Sequence, residues 1–466
     1  MKYPVSINQE KRLLLEEYMR QHAVPIAPFN VAFGMSIEGN IQVEALTFAL
    51  NAVIARHQGL RAAFMQNDDI EQSTRMLQLD NMATSGIFVP GMYVQHIKND
   101  VLLSIRVENL DTFAENKQEH VISSMLMKSV NSNYNYNEPP LMRVHLFKLN
   151  QNKHVLILII SHLVLDMWSA QLLQREIQML YISRVNCTSC ELPQVQLHST
   201  DYAVLQQIKC MNGEFDPAIS YWQDQWNRFG AAQVQYRDMP AVLRRYGPGT
   251  SGVGVERVVL TSELLEEMRR FAKQYRTTIY MLLLSALAII LHRYVRKHKI
   301  ALFCNYANRN ETGYENTIGW FVNCHMIGIE LPARITVHQV LSNVRLAVIN
   351  AYKHQAVPLT YVKIKTNHQF NSSDLMLICD YMPYIKDHSP DHASARIRFT
   401  PLMLPTALMG NWHRGLRIMM IESMKNAELN AMYSKNQFMR EGICIILQEL
   451  AKTLQWFIRN PGEGLE

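Results

Sequence analysis

The residues whose types and spacing could support chemistry stand at the end of the most apolar strand-like stretch of the chain. In HVLILIISHLVLDMWS, His162 follows the apolar run and Asp166 comes four positions later. A neutral imidazole, with an ordinary pKa near ~6.5, can accept a proton or hold a nucleophile in line. A carboxylate nearby can fix a loop through hydrogen bonds or an ion pair. The two side chains predict an acid–base or positioning site at the mouth of a strand.

Two other interpretations of these side chains are open at this point. His162 can be a core histidine that bonds a backbone carbonyl, with Asp166 making only loop hydrogen bonds. The two can also belong to a metal site, although no third ligand lies nearby in the sequence and we expect no bound metal. The CTSC at 187–190 is half of a zinc site, a redox pair or two ordinary thiols, and the lack of a second pair at suitable spacing favours ordinary thiols.

A buried strand, a hairpin partner and a following helix would position these side chains. Val155 to Ile160 are six consecutive apolar residues, which is typical of a strand buried on both faces. LMRVHLFKL (141–149) predicts the hairpin partner and NQNK (150–153) the turn between them. After the motif, Ser169 is a candidate cap for a helix whose residues 173, 177 and 180 form an apolar face.

The rest of the chain alternates between helical and strand-like patterns. IQVEALTFALNAVIARH (41–57) has an apolar helical stripe, VERVVL (255–260) and IALFCNY (300–306) are strand-like, and two helices are predicted between those strands. With 466 residues and 53.9 kDa, the chain is too long for one small core, so we expect two lobes. The predicted fold class is α/β, a mixed α+β sandwich.

Composition restricts the location and the partners. The longest apolar run, IYMLLLSALAIIL (279–291), has 13 residues, whereas a membrane span needs ~20, so it predicts a buried core helix. The N-terminal sequence lacks the apolar segment of a signal peptide and the seven cysteines have no framework spacing, which favours the cytoplasm. The net charge of +6 lies mostly on helical patterns, which are typical of solvated faces or of a docking surface for an acidic partner. Without interleaved aromatic residues it argues against nucleic acid.

The stretch SHLVLDMWS resembles the HHxxxDGxS signature of the condensation domains of nonribosomal peptide synthetases, which belong to the chloramphenicol acetyltransferase-like superfamily. One short motif is a weak signal, but other blocks resemble the family in the same order along nearly the whole chain. They are SINQEKRLLLEEYM (6–19), RHQGLRAAF (56–64), DYAVLQQ (201–207), YWQDQW (221–226), IGWFVNCHMIGIEL (318–331) and HQAVPL (354–359).

This resemblance implies two acyltransferase-like lobes, residues 1–180 and residues 181–466, that form a V-shaped pseudo-dimer around a central tunnel. Segments of the second lobe would cross to the first. Acidic carrier proteins would bring substrates into the tunnel on phosphopantetheine arms, and the enzyme would bind no cofactor of its own. The family reaction joins a carrier-bound acyl or aminoacyl thioester to an amine, or occasionally to a hydroxyl. We expect a monomer that is either free-standing or excised from a larger synthetase.

The family's residue roles can be carried over position by position. The chemical role falls on His162 and a structural role on Asp166, which would pair with Arg309 and tie the two lobes together. Ser161 stands where the family has its first histidine, and its hydroxyl can still donate and accept a hydrogen bond. Met167 replaces the family glycine, and its thioether is expected to narrow the tunnel or to oppose the usual turn.

Three further residues are candidates for the tunnel wall, namely Trp168, Trp320 and Asn323, although aromatic residues beside a strand end are more often core. Three functions remain open. The chain can be an amide- or ester-forming condensation enzyme, a catalytically silent module that recruits carrier proteins or tailoring enzymes, or an acyltransferase with a soluble acceptor. His162 favours the first function, whereas Met167 in place of glycine keeps the second open.

Overall fold

The computed structural model describes residues 2–24, 28–85, 90–245, 252–366, 377–383, 397–402, 415–423 and 426–464. The chain splits into two compact units. The first comprises Met1–Glu214, Ala307–Val322 and Asp387–Gly410, and the second comprises Phe215–Tyr306, Asn323–Lys386 and Asn411–Glu466. Both units combine helices with β-sheet, so the predicted mixed α/β class is confirmed.

Helices and strands alternate along the first unit. Its described helices are α1 (Ile7–Gln21), α2 (Val43–Arg56), α3 (Gln72–Ser85), α4 (Glu115–Val130), α5 (Met167–Asn186) and α6 (Ser199–Met211). Its described strands are β1 (Lys2–Pro4), β2 (Asn30–Glu38), β3 (Ala62–Gln66), β4 (Tyr93–Ile97), β5 (Arg106–Asn109), β6 (Met142–Lys148), β7 (Lys153–Ser161) and β12 (Arg398–Leu402). They form a five-stranded sheet of order β12-β2-β7-β6-β5 and a three-stranded sheet of order β1-β4-β3.

β7 is the central strand of the five-stranded sheet and is antiparallel to both β2 and β6, which confirms the predicted hairpin. It is buried from His154 to Ser161, as its apolar run predicts. On one face its odd-numbered residues pack with Leu126 and Val130 of α4. Burial of each Leu or Ile side chain stabilises the fold by ~1.5–3 kcal/mol, so the end of β7 is a rigid platform for the motif that follows.

The first compact unit does not end at residue 180, where the sequence analysis draws the lobe boundary. α6 attaches to the unit through Gln206, whose side-chain oxygen accepts from the backbone N–H of Ile7 at 2.8 Å. Thr200 donates from its hydroxyl to Gln58 at 2.9 Å. Because of these contacts the first segment of the unit runs on to Glu214, and the later segment Ala307–Val322 belongs to the same unit.

The second unit has a six-stranded sheet of order β10-β9-β11-β13-β14-β8. Its described strands are β8 (Val253–Leu260), β9 (Lys299–Tyr306), β10 (Asn323–Glu330), β11 (Leu377–Met382), β13 (Leu416–Glu422) and β14 (Ala427–Ser434). Its described helices are α7 (Asp216–Phe229), α8 (Ser262–Gln274), α9 (Ile279–Val295), α10 (Val337–Lys353), α11 (Leu359–Thr366) and α12 (Arg440–Arg459). The two helices predicted between the strands at 255–260 and 300–306 are α8 and α9.

α9 contains the longest apolar run of the chain. Every residue from Met281 to Leu291 is buried within the second unit, which confirms the predicted core helix. Among the residues that the structure describes, no single helix is long and apolar enough to cross a membrane. α8 and α9 meet that criterion only when taken together, across a bend of 100°.

Candidate active site

The loop after β7 is fixed by backbone hydrogen bonds to its neighbours. The N–H of Ser161 donates to the carbonyl of Leu141 at 2.9 Å, and the N–H of His162 donates to the carbonyl of Phe29 at 2.7 Å. The N–H of Val164 then donates back to the carbonyl of Ser161 at 3.1 Å, which closes a turn. The backbone at His162 is therefore fixed by hydrogen bonds to Leu141, which precedes β6, and to Phe29, which precedes β2.

The imidazole of His162 is half-buried and packs between aromatic rings. It stacks on Phe29 with the ring centroids 4.6 Å apart and an interplanar angle of 8°. Trp320 lies at 5.2 Å and is tilted by 55°. Such contacts add directional attraction to the burial of the rings, so they set the plane of the imidazole. The ring is partly exposed, which disfavours the interpretation of His162 as a sealed core histidine.

Asp166 has a different environment, with 2% of its surface exposed. Its carboxylate accepts from the backbone N–H groups of Ser169 at 2.9 Å and Phe321 at 3.1 Å. Arg309 donates to both carboxylate oxygens, at 3.0 and 3.1 Å. Burial works to raise the pKa of the Asp166 carboxyl, but the Arg309 guanidinium and the two backbone donors outweigh it and hold that pKa below its ordinary value.

Arg309 and Ser169 lock the segment Ala307–Val322 onto the motif. Arg309 also donates to the hydroxyl of Ser169 at 2.7 Å, and its guanidinium lies over the ring of Phe321 at 4.4 Å. The Ser169 hydroxyl donates to the carbonyl of Gly319 at 2.9 Å and lies 3.0 Å from the Gly319 N–H. The N–H of Asp166 also donates to the Gly319 carbonyl, at 3.1 Å. The segment Ala307–Val322 is thus joined to the motif both by the charged side chain of Arg309 and by backbone hydrogen bonds.

Glycine is required at position 319 because the backbone there lies close to the Phe321 ring and to Ser199 of α6. A Cβ atom added there would lie 2.7 Å from the Phe321 ring and 2.8 Å from the Cβ of Ser199. Both distances are shorter than ordinary carbon contacts, so a larger residue would push the segment away from α6. This steric limit accounts for a glycine beside Trp320 in the IGWF sequence.

The Asp166–Arg309 contact that the sequence analysis expects is present, at 3.0 Å. Both residues belong to the first compact unit, however, so the pair holds that unit together internally. The predicted cap of α5 is wrong, because Asp166 and not Ser169 is the N-cap residue. Ser169 supplies the N–H that Asp166 accepts, while its hydroxyl is engaged by Arg309 and Gly319.

Met167 is the first residue of α5, so its backbone is helical. The expected conflict between a thioether side chain and the turn therefore does not arise, because the first position of a helix requires no glycine. The side chain is 39% exposed. Trp168, the next residue, is 37% exposed, and its indole N–H donates to the carbonyl of Glu315 at 3.0 Å.

The two remaining candidates are not alike. Trp320 contacts His162 directly, as described above. Asn323 belongs to the second unit, where it is 1% exposed and donates to the carbonyl of Gln355 at 2.8 Å. Its side chain thus fixes backbone inside that unit, and its assignment to a tunnel wall stays a prediction.

Residues outside the motif also support it, and the sequence analysis assigned them no role. Phe29 stacks on His162 without belonging to a recognisable pattern. Gln9 of α1 donates from its side chain to the carbonyl of Leu163 at 2.8 Å. Gln9, Arg12 and Glu16 lie at helical spacing inside the block SINQEKRLLLEEYM, but α1 is rich in polar residues on other faces too, so their spacing alone does not single them out.

Within the described parts of the chain, no three His, Cys, Asp or Glu side chains are grouped so that they could hold a metal ion. Cys187 is exposed and Cys190 is half-buried, and both are free thiols. Burial is the main cause that raises the pKa of the Cys190 thiol. A raised pKa disfavours the reactive thiolate, as expected for an ordinary cysteine.

The sequence matches the family model of the condensation domain over residues 87–466. Gramicidin S synthase 2 from Brevibacillus brevis is 26% identical over 361 residues, which cover 76% of this chain but 7% of that synthase. The chain thus spans a small part of the length of the curated relatives that it matches.

Two solved structures have similar folds. One is the condensation domain from Monacolin K polyketide synthase MokA, with a TM-score of 0.77, 16% identity, and coverage of 100% of this chain and 99% of that one. The other is the complex of the X-domain and OxyB from teicoplanin biosynthesis, with a TM-score of 0.71, 18% identity, and coverage of 99% and 94%. These similarities show that the chain has the same fold as those two structures. The chain belongs to the condensation domain family.

Proposed function

We propose that the chain is an acyltransferase that joins a carrier-bound acyl or aminoacyl thioester to an amine, or to a hydroxyl, with His162 as its catalytic residue. The observation that carries the proposal is the position of this imidazole, which is rigidly held at the end of a buried strand and yet partly exposed. Family membership supports the reaction class. A soluble acceptor in place of a carrier-bound one fits the same site.

The proposed chemistry needs one base and no metal. The acceptor amine attacks the thioester carbonyl, and a C–N bond forms as the carbonyl becomes tetrahedral. The neutral imidazole of His162 accepts the proton that the nitrogen loses, or holds the amine in line until the proton leaves. The adduct then collapses, the C–S bond breaks, and the proton ends on the released thiol of the donor carrier.

Asp166 and Arg309 are proposed to act on the shape of the site and not on the substrate. A carboxylate held by a bidentate arginine and two backbone N–H groups is already saturated, and its lowered pKa makes it a weak base near neutral pH. Ser161 is proposed to support the same loop, while Met167, Trp168 and Trp320 are proposed to line the path of the substrates.

The partners follow from the same proposal. Acidic carrier proteins deliver the substrates on phosphopantetheine arms, and the net charge of +6 suits such partners. The enzyme itself binds no cofactor and acts as a monomer in the cytoplasm.

A second function is a catalytically silent module that recruits carrier proteins or tailoring enzymes. It is favoured by the similarity to an X-domain whose structure was solved together with OxyB. The replacement of the family glycine by Met167 also favours it, because a side chain at that position occupies space that substrate arms would use.

Intact-mass analysis of a loaded donor carrier decides between the two functions. The enzyme is incubated with short and long acyl donors and with amine and hydroxyl acceptors, each free and carrier-bound. The proposal predicts a product mass equal to acyl group plus acceptor, together with an unloaded donor carrier. Carrier binding that weakens with salt, without turnover of any donor in the panel, would support the silent module and remove the enzyme proposal.

A further inference from the structure

One face of α1 lies directly behind the loop that carries His162. Gln9, Arg12 and Glu16 are spaced by three and four residues, which places them on the same side of a helix. All three are polar, yet Gln9 is 5% exposed and Glu16 is 7% exposed. Buried polar side chains are costly unless they are hydrogen-bonded, so the partners of these three side chains show what this face of α1 supports.

Two of these side chains reach the motif loop on one side of the imidazole. Gln9 donates to the carbonyl of Leu163, the residue after His162, at 2.8 Å. The guanidinium of Arg12 lies 4.6 Å from the centre of the Phe29 ring. Because His162 is stacked on the same ring, also at 4.6 Å, Phe29 is held between a cation and the imidazole.

The third side chain reaches the loop through a tyrosine. Glu16 accepts from the hydroxyl of Tyr136 at 2.8 Å. The side chain of Ser161 is among the neighbours that influence the pKa of that hydroxyl, so it lies nearby. Arg12 donates a hydrogen bond to the carboxylate of Glu16 at 2.5 Å, so the contacts that these two side chains make are coupled. The chain of contacts thus runs from Arg12 through Glu16 and Tyr136 to the serine that stands at the position of a family histidine.

α1 is itself anchored, which a support must be. The carboxylate of Glu10 is fully buried and accepts from the backbone N–H groups of Gly91 at 2.7 Å and Tyr93 at 3.2 Å. Glu17 accepts from the Tyr93 hydroxyl at 2.5 Å. A second face of α1 is therefore tied to the start of β4, and a displacement of α1 would be transmitted to the motif loop.

We propose that the face of α1 formed by Gln9, Arg12 and Glu16 positions His162, and that Tyr136 and Glu16 are positioning residues that act through Ser161. The catalytic consequence of this inference rests on the proposed function, whereas the contacts between α1 and the motif loop do not depend on it. In this proposal Tyr136 links Ser161 to Glu16, so loss of the Tyr136 hydroxyl is expected to loosen the loop. A misplacement of reacting groups by ~1 Å can cost ~10²-fold in rate.

Tyr136→Phe and Ser161→Ala, alone and together, test the coupling. We expect each single variant to lower kcat by about 10-fold with KM little changed, and the double variant to be no worse than either single one, because both interrupt one chain of contacts. Tyr134→Phe is the matched control, since it removes a hydroxyl from the same loop that donates to the carbonyl of Ile159 at 2.6 Å. An equal loss of kcat in the control, or additive losses in the double variant, would overturn the proposal.

A second readout does not depend on turnover. Face-to-face stacking on Phe29 shifts the resonances of the His162 ring protons, which can be assigned in histidine-labelled protein by comparison with His162→Gln. We expect Tyr136→Phe to move these resonances and Tyr134→Phe to leave them unchanged. If the wild type turns over no donor but the resonances move as expected, the positioning stands and the proposed function fails. Resonances and kcat that are both unmoved in Tyr136→Phe would refute the positioning role.

Discussion

His162 and Asp166 stand four residues apart in one motif and are held in opposite ways. Asp166 is sealed, charged and saturated with hydrogen bonds, whereas His162 is half-buried and oriented by aromatic rings. A saturated carboxylate has little capacity left for a reacting group, and its lowered pKa weakens it as a base. The comparison teaches that the buried ionic pair suits a structural role, whereas the half-buried imidazole is the part of the motif to which we assign the proposed chemistry.

Other histidines in the family-like blocks sharpen this contrast. His57 is fully buried, with Nε2 at 2.8 Å from a carboxylate oxygen of Glu176 and Nδ1 accepting from the N–H of Ile318 at 3.4 Å. His325 is fully buried and stacks on Trp222 at 4.1 Å, and burial lowers its pKa to about 3. Both side chains are enclosed within the fold, whereas His162 is half-buried.

The largest change in stability is expected from Asp166→Ala. It leaves the Arg309 guanidinium buried without its partner, which costs ~3–5 kcal/mol of the free energy of unfolding. Urea unfolding measures the loss, and turnover should fall together with the folded fraction. Asp111→Ala is the control, because its pair with Lys148 at 3.2 Å is about one-third exposed and contributes at most ~1 kcal/mol. A fully stable but inactive Asp166→Ala protein would reverse the roles assigned to the two halves of the motif.

A smaller effect is expected from pH. Because the pKa of Asp166 is lowered in the folded state, its contribution to stability is present above the ordinary carboxyl pKa of ~4 and is lost as the pH falls through the folded-state value. Asp166→Asn lacks this titration. Melting temperatures of both proteins between pH 7 and pH 3 should therefore converge as the pH falls. A difference that stays constant over this range would show that the carboxylate charge contributes nothing to folding.

The smallest effect on stability is expected from Met167→Gly. Glycine at the start of α5 should cost up to ~1 kcal/mol, but it removes a side chain that is 39% exposed beside the motif. If that side chain projects into the substrate path, the variant should accept long acyl donors better relative to short ones. Product masses with both donors give the ratio. Met211→Gly, the same change at an exposed end of α6, should leave the ratio unchanged.

Much of this fold and part of the site can be predicted from the sequence for identifiable reasons. The apolar run of β7 and the 13-residue apolar run of α9 could be predicted to be buried, because such runs are not stable when they are exposed to water. The Asp166–Arg309 contact was expected from the resemblance to the condensation domain family, and the structure contains it. The stacking of Phe29 on His162 was not predictable, because an aromatic residue remote in sequence carries no periodic signal of its contact. The N-cap was misassigned because both Asp166 and Ser169 are good capping residues, and the partners of Ser169 lie in a distant segment.

The central claim is that His162 performs chemistry that the fold does not need. The most direct measurement is the turnover of a loaded donor carrier by His162→Ala, with melting temperature recorded on the same preparation. The account predicts a rate lower by ~10²- to 10⁴-fold at nearly unchanged melting temperature, the loss expected when a general base or a positioning group is removed. A well-folded His162→Ala protein that turns over at the wild-type rate would contradict it.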